Sequence, residues 1–200
     1  MFIAIEGIDG AGKTCVAKSI ADKLGYDYSG QKALGQYLGV EEKEYLRQCS
    51  NFRNNVNSDC DRMYWLYALS CLLVADKENV VCDRHLGTVH FWYGNENNEC
   101  IAQNVYKLSR KPDMTFLLNV SLDKAIERTN SKYGINDKET DEYKREIEKV
   151  KRAPFFKDKA EKFFEKFDIR YEVIETDEMT LEQVINIVEA YIIDMEEGKS

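Results

Sequence analysis

The first 25 residues constrain this chain more than any other stretch. Phe2-Ile3-Ala4-Ile5 is a short apolar run of the kind that fills a buried parallel strand. Gly7-Ile8-Asp9-Gly10-Ala11-Gly12-Lys13-Thr14 follows it and matches the spacing G-x-x-x-x-G-K-[ST]. Val16, Ile20 and Leu24 then recur four apart, so this stretch reads as a helix, and Gly25 suits its stop. The glycines let backbone N–H groups curl around an anion, and the helix N-terminus adds partial positive charge. Gly7, Asp9, Gly10, Ala11 and Gly12 therefore form a candidate phosphate loop. Lys13 would reach the β- and γ-phosphates of a nucleoside triphosphate, and the Thr14 hydroxyl would ligate Mg²⁺. The bare pattern has only four fixed positions, but a strand before it and a helix after it make a chance match a poor explanation. The pattern speaks for the phosphoryl donor and says little about the acceptor.

The remaining hydrophobic pattern continues the same alternation. Tyr26-Asp27-Tyr28 reads as a short second strand, with 29–36 as a loop punctuated by Gly30 and Gly35. Residues 41–48 read as a charged surface helix and 51–61 as a polar loop. The apolar run 62–75 is too long for most strands and is predicted to be a buried helix capped by Asp59 or Asp61. Val80-Val81-Cys82 is a core strand ending at Asp83. Two helices are expected next, around Phe91-Trp92-Tyr93 and over 101–110. The strand 114–120 follows, then a helix capped by Ser121 that ends near Arg128. A lysine-rich helix over 148–167, broken at Pro154, precedes a last strand at 171–175 and an amphipathic helix capped by Thr180. This order predicts an α/β three-layer fold, with a parallel sheet of about five strands flanked by helices, in a single domain over 1–200. Residues 130–146 are almost wholly polar and read as a small helical lid that opens and closes. Ligands in such folds lie beyond the C-terminal ends of the strands, where Gly7, Asp83 and Asp177 fall.

Composition narrows the function further. The chain has 200 residues and a net charge of −8, which argues against a nucleic-acid partner. An anionic substrate must then be held by a few local cations. No apolar run approaches the ~20 residues needed to span a bilayer, and the N-terminus enters a strand directly, so a soluble, cytoplasmic protein is expected. The six cysteines form no CxxC pair and are expected to be free thiols, without a metal.

Asp83-Arg84-His85 directly follows a strand. A carboxylate there suits an acid that orients Mg²⁺ or its waters, and Arg84 suits a phosphate clamp. The alternative is a plain strand-end ion pair. Asp9 is unusual inside a phosphate loop, because like charges repel. It is either a turn residue or a group pointing away, toward an acceptor's hydroxyl or toward Arg84.

The opening 2–14 resembles the start of thymidylate kinases, in which an Asp or Glu at the position of Asp9 contacts the acceptor nucleotide. Asp83-Arg84-His85 resembles that family's D-R-[YH] motif, with Thr88 and Trp92 in the register of its small hydroxyl and aromatic residues. Residues 110–120 resemble its R-x-P-D strand, and Ala125-Ile126-Glu127-Arg128 its next helix, whose Arg128 would face the donor nucleotide. Residues 147–151 resemble the helix after its lid. The resemblance implies transfer of the γ-phosphoryl of ATP, with Mg²⁺, to a deoxynucleoside monophosphate, with dTMP as the default acceptor. It also implies a homodimer. Lys13, Asp83 and Arg84 would be catalytic, with Thr14 and Asp83 at the metal. Asp9, Arg84, Thr88, Trp92, Trp65 and Tyr67 would meet the acceptor, with Trp65 or Tyr67 stacking on the base and Arg53 or Arg62 bonding it. Lys132, Lys138, Lys144 and Arg145 are the lid cations that would surround the transferred group. Two rivals remain: a deoxynucleoside kinase or other nucleoside monophosphate kinase on the same scaffold, with Glu6 or Asp83 as base for an unphosphorylated hydroxyl, and a nucleotide-binding regulatory protein that has lost catalysis.

Overall fold

A computed structural model describes residues 1–30, 33–56, 59–133 and 138–198. Five parallel strands form one sheet in the order β2-β3-β1-β4-β5. They are β1 (Phe2–Gly7), β2 (Asp27–Gly30), β3 (Val80–Asp83), β4 (Met114–Asn119) and β5 (Tyr171–Glu175). The central β1 is buried along its whole length, as its unbroken apolar run requires of a strand covered on both faces. It pairs with β3 on one side and β4 on the other, with Ile5 opposite Asp83 and Gly7 opposite Leu118. That register brings the ends of β1 and β3 to the same edge.

The helices are α1 (Lys13–Leu24), α2 (Ala33–Tyr37), α3 (Glu42–Asn55), α4 (Cys60–Ala75), α5 (Leu86–Tyr93), α6 (Cys100–Leu108), α7 (Leu122–Ser131), α8 (Asp141–Lys151), α9 (Phe156–Lys166) and α10 (Leu181–Glu196). Helix α1 packs on α10 as well as on β1, β2 and β3, while α4 packs on α5 and α6, and α5 on α9. Val16, Ala17 and Ile20 of α1 and Val184, Val188 and Ile192 of α10 lie in one continuous core with Ile3, Ile5, Phe116 and Leu118 of the sheet.

The expected elements stand, with three corrections. The segment read as a loop after β2 contains α2, whose Gly35 lies directly against the Tyr45 ring of α3. Helix α3 runs on to Asn55, past the expected loop start, because Tyr45 and Cys49 present a buried face one turn apart. Helix α8 begins at Asp141, inside the stretch expected as lid, where the Thr140 hydroxyl accepts from Tyr143 N at 3.3 Å and caps it. Residues 134–137 of that stretch lie outside the described residues. Asp59 caps α4 by accepting from Arg62 N at 3.0 Å. The described cysteines are all free, and no helix among the described residues is long and apolar enough to cross a membrane.

Candidate active site

Two cavities open beside the ends of β1 and β3, and Asp9 and Arg84 line both. The first, of about 370 Å³, takes its floor from residues 9–16. The second, of about 240 Å³, is walled by side chains of α3, α4, α5 and α8.

The loop from Gly7 to Thr14 is held by close packing. Gly7 sits at φ +145° and Gly10 at φ +86°, and a Cβ on either would come within 2.6 Å of a backbone oxygen, that of Leu118 or Ala125. Only glycine fits at both points, so β4 and α7 dictate where the loop turns. Lys13 folds back over the loop and its Nζ donates to Ile8 O at 2.6 Å, 3.9 Å from Asp9 Oδ1. Burial, reinforced by the Arg84 charge, lowers the Lys13 pKa to about 8. An ammonium held at such a cost gains from any phosphate that enters the loop.

Arg84 adopts φ +75°, an uncommon conformation for a residue with a side chain. Its N–H donates to Ile5 O at 2.9 Å, the last rung between β1 and β3, and the positive φ then turns the chain off the strand. Its guanidinium donates to Asp9 Oδ1. Burial alone would raise the Asp9 pKa, but the Arg84 and Lys13 charges outweigh it and hold the carboxyl well below the usual carboxylate range. Asp9 therefore points toward Arg84 as an ionised partner.

The Thr14 hydroxyl donates to Asp83 Oδ2. Asp83 Oδ1 is buried without a hydrogen-bond partner among the described residues, with Arg84 Nε at 3.9 Å. A hydroxyl and a carboxylate side by side, with a lone pair unused, suit a hard divalent cation that takes its other oxygens from phosphate and water.

Beneath this pair, Glu6 is 1% exposed and accepts from His85 N at 3.1 Å, Thr88 N at 3.2 Å and the Thr88 hydroxyl. The residue before α5, His85, offers no side-chain cap of its own. Glu6 replaces it from the neighbouring strand, and its carboxylate suits the positive end of the helix. Burial pushes the Glu6 pKa up to about 7.

The outer wall of the first cavity includes Arg128, Lys132, Met179, Leu181 and Val184. Arg128 is fixed by donating to Thr176 Oγ1 at 3.0 Å. Lys132 lies 3.5 Å from Glu146, which also accepts from the Tyr133 hydroxyl at 2.8 Å. The second cavity brings together Arg53, Met63, Tyr67, Val89, Trp92, Tyr93, Lys149 and Arg152.

Most residues singled out in the sequence meet here. Asp9, Gly10, Ala11, Gly12, Lys13, Thr14, Arg84, Arg128 and Lys132 line the first cavity, and Tyr67 and Trp92 the second. Asp83 stands at the shared edge through Thr14 and Arg84. Others are placed elsewhere. Gly7 turns beneath the loop and lines neither cavity. Thr88 is fully buried, with its hydroxyl on Glu6, so it supports α5 from below. Trp65 is 42% exposed, since two residues of helix separate it from Tyr67 by more than half a turn. Lys138, Lys144 and Arg145 line neither cavity, and Arg145 Nε donates to Asp141 O within its own helix at 3.0 Å. The sequence reading missed Met63, Tyr93, Lys149 and Arg152 as site residues. Lys149, near the end of α8, and Arg152, which caps it, are three apart, but so are many charged pairs in this lysine-rich region, and the spacing alone carried no signal.

Comparison with known proteins adds a family. The family model for thymidylate kinase matches residues 59–187. A probable thymidylate kinase of Methanococcus maripaludis is 28% identical over 199 residues, covering 96% of this chain and 95% of that protein. A thymidylate kinase of Leptospira interrogans is 26% identical over 163 residues, covering 76% of this chain and 79% of that protein. Among solved structures, deoxyadenosine kinase from M. mycoides with bound dCTP is similar in fold, with a TM-score of 0.56 and 18% identity, covering 97% of this chain and all of that one.

Proposed function

This chain belongs to the thymidylate kinase family, and from that premise we propose that it transfers the γ-phosphoryl of ATP to the 5′-phosphate of a deoxynucleoside monophosphate, dTMP first among them. One observation carries this reading. The two cavities share Asp9 and Arg84, and the second sets four cations, Arg53, Arg84, Lys149 and Arg152, against the single carboxylate of Asp9. A pocket so biased suits an acceptor that arrives already anionic.

The donor triphosphate lies in the first cavity, its phosphates against the amides of the loop and Lys13. The donor's base and sugar rest against Arg128 and the apolar side chains of Met179, Leu181 and Val184. Thr14 and Asp83 would hold Mg²⁺, which when bound supplies charge neutralisation at the β- and γ-phosphates. Arg84 straddles the boundary between the cavities. It is placed to hold the incoming phosphate while Asp9 keeps its guanidinium in line. An acceptor phosphate needs no strong general base, and positioning with charge neutralisation accounts for the chemistry. Lys132 adds a cation from the donor side. Such a reaction belongs with the nucleotide pools of the cytoplasm. The exposed Trp65 and Leu69 of α4 offer a face for a second copy of the chain, so the assembly is read as a homodimer, which sedimentation would test.

Of the two candidate bases for an unphosphorylated nucleoside, Glu6 is excluded by its position. That carboxylate is engaged by three donors under α5 and lines neither cavity, so it is not available as a base for a 5′-hydroxyl. Lys13, Thr14, Asp83 and Arg84 converge at one edge, as a working transferase requires. The test is a panel of nucleosides and nucleoside monophosphates with ATP and Mg²⁺, following ADP release. Turnover of dTMP is expected. Turnover of nucleosides alone, or of nothing, would overturn the reading.

A further inference from the structure

Four cations line the first cavity, Lys13, Arg84, Arg128 and Lys132, against two carboxylates, those of Asp9 and Glu146. Each cation already has a partner in the protein. Arg84 donates to Asp9, Lys13 to Ile8 O, and Arg128 to the hydroxyl and carbonyl of Thr176. Lys132 is paired with Glu146, its Nζ 3.5 Å from Oε1, and the two side chains are 53% and 28% exposed. That separation exceeds a well-made ammonium–carboxylate hydrogen bond, and water reaches both ends, so the pair is held loosely. The closer contact of Glu146 is with the Tyr133 hydroxyl, which donates to Oε2 at 2.8 Å. The same tyrosine meets the Tyr143 ring edge-on at 5.3 Å, and the Tyr143 hydroxyl donates to Asn130 Oδ1 at 2.7 Å. Those contacts tie α7 and the residues just after it to α8 without Lys132. The ion pair is therefore not what braces the helices, and an acid on the wall of a cavity read as taking a triphosphate needs another role.

We propose that Glu146 is an exchangeable counter-ion for Lys132: it neutralises that ammonium before nucleotide arrives, competes with the donor's phosphates for it, and so loosens the hold on nucleotide, the ADP product included. The physics is a choice between anions. Nucleotide phosphates bring more charge into the cavity than one carboxylate does, so Lys132 turns toward them and leaves Glu146. Breaking the pair, and leaving its carboxylate beside phosphate oxygens, both count against binding. The Tyr133 hydroxyl keeps the carboxylate in place meanwhile, so the pair re-forms as the nucleotide departs. A cavity whose cations were all free would grip substrate and product alike, and tighter ground-state binding does not speed the chemical step. Glu146 acts through Lys132, as a positioning residue.

This inference rests on the first cavity being the donor site, and the experiment separates the two ideas. Kd for ATP and for ADP, each with Mg²⁺, is measured by calorimetry with the wild type, Glu146→Gln, Lys132→Ala and the double variant. Gln keeps the length of the side chain and an acceptor for the Tyr133 hydroxyl, so the fold should be undisturbed. Glu146→Ala, with the same expectations, replaces it if that variant fails to fold. With Lys132 present, Glu146→Gln should tighten both nucleotides roughly 3- to 10-fold, whereas beside Lys132→Ala the same change should give less than about twofold. In an ADP-release assay the KM for ATP should fall in Glu146→Gln while kcat does not rise. Equal gains with and without Lys132 would mean that Glu146 only repels phosphate, and would overturn the proposal. So would unchanged or weaker nucleotide binding, the mark of a carboxylate that merely braces α8. A wild-type protein that binds neither ATP nor ADP would instead refute the donor-site reading itself.

Discussion

Lys13, Asp9 and Arg84 make a partly buried alternation of charge in which the carboxylate stands between two cations. Lys13 is the most deeply buried of the three and has Ile8 O as its hydrogen-bond acceptor. Lys13→Ala should therefore leave the fold in place but remove the charge at the β/γ bridge, lowering kcat by about 10²- to 10³-fold in an ADP-release assay. Glu6 gives a pH signature of a different kind. Its folded pKa of about 7 lies above the ordinary value of 4.5. Between those values the native state keeps a proton that the unfolded chain releases, so this stability is complete at low pH and is lost as pH rises through about 7. The neutral Glu6→Gln variant lacks that slope. From about pH 5 to about pH 8 its stability in urea should gain on the wild type by about 1–3 kcal/mol. A constant difference across that range would refute the assignment.

At the level of elements, the phosphate loop and α10 show how local geometry is protected. Gly10 presses on the backbone of Ala125, which cannot yield as a flexible side chain would. Gly10→Ala should displace the loop from α7 and weaken ATP binding, measured by calorimetry, by at least about tenfold. Helix α10 opens with a reciprocal capping box between Thr180 and Gln183. Thr180→Ala removes one half of it and should cost about 0.5–2 kcal/mol in a denaturant midpoint, because the helix packs its Val184, Val188 and Ile192 face into the core beside α1. The same helix supplies Leu181 and Val184 to the first cavity, so fraying at its start would also loosen that cavity's wall.

Across the whole molecule, one helix faces both cavities. Helix α8 and its C-cap send Glu146 to the first cavity and Lys149 and Arg152 to the second, three residues apart each time. Lys149 also helps to hold down the pKa of Asp9, which places it near the shared edge. Lys149→Ala should raise the KM for the acceptor by roughly tenfold or more and leave that for ATP within about twofold, while Lys132→Ala should do the reverse. Equal effects on both substrates would show that α8 acts only as a brace.

The sequence alone determined the loop that floors the first cavity. The phosphate loop and its flanking strand and helix occupy consecutive residues, so spacing and glycine geometry specify them without reference to the rest of the chain. Alternating apolar runs announced the parallel sheet for the same reason, and strand tips such as Asp83 followed from where those runs end. The second cavity was decided by tertiary structure. Its wall is assembled from α3, α4, α5 and α8 with the tips of β1 and β3, and which side chains reach it depends on how each helix is rotated against the core. Rotation put Tyr67 in the cavity and Trp65 outside, buried Thr88 under α5, and brought Arg53 and Tyr93 within hydrogen-bonding reach across 40 residues of chain. Pairings at that range are selected by packing, and a linear pattern holds no record of them.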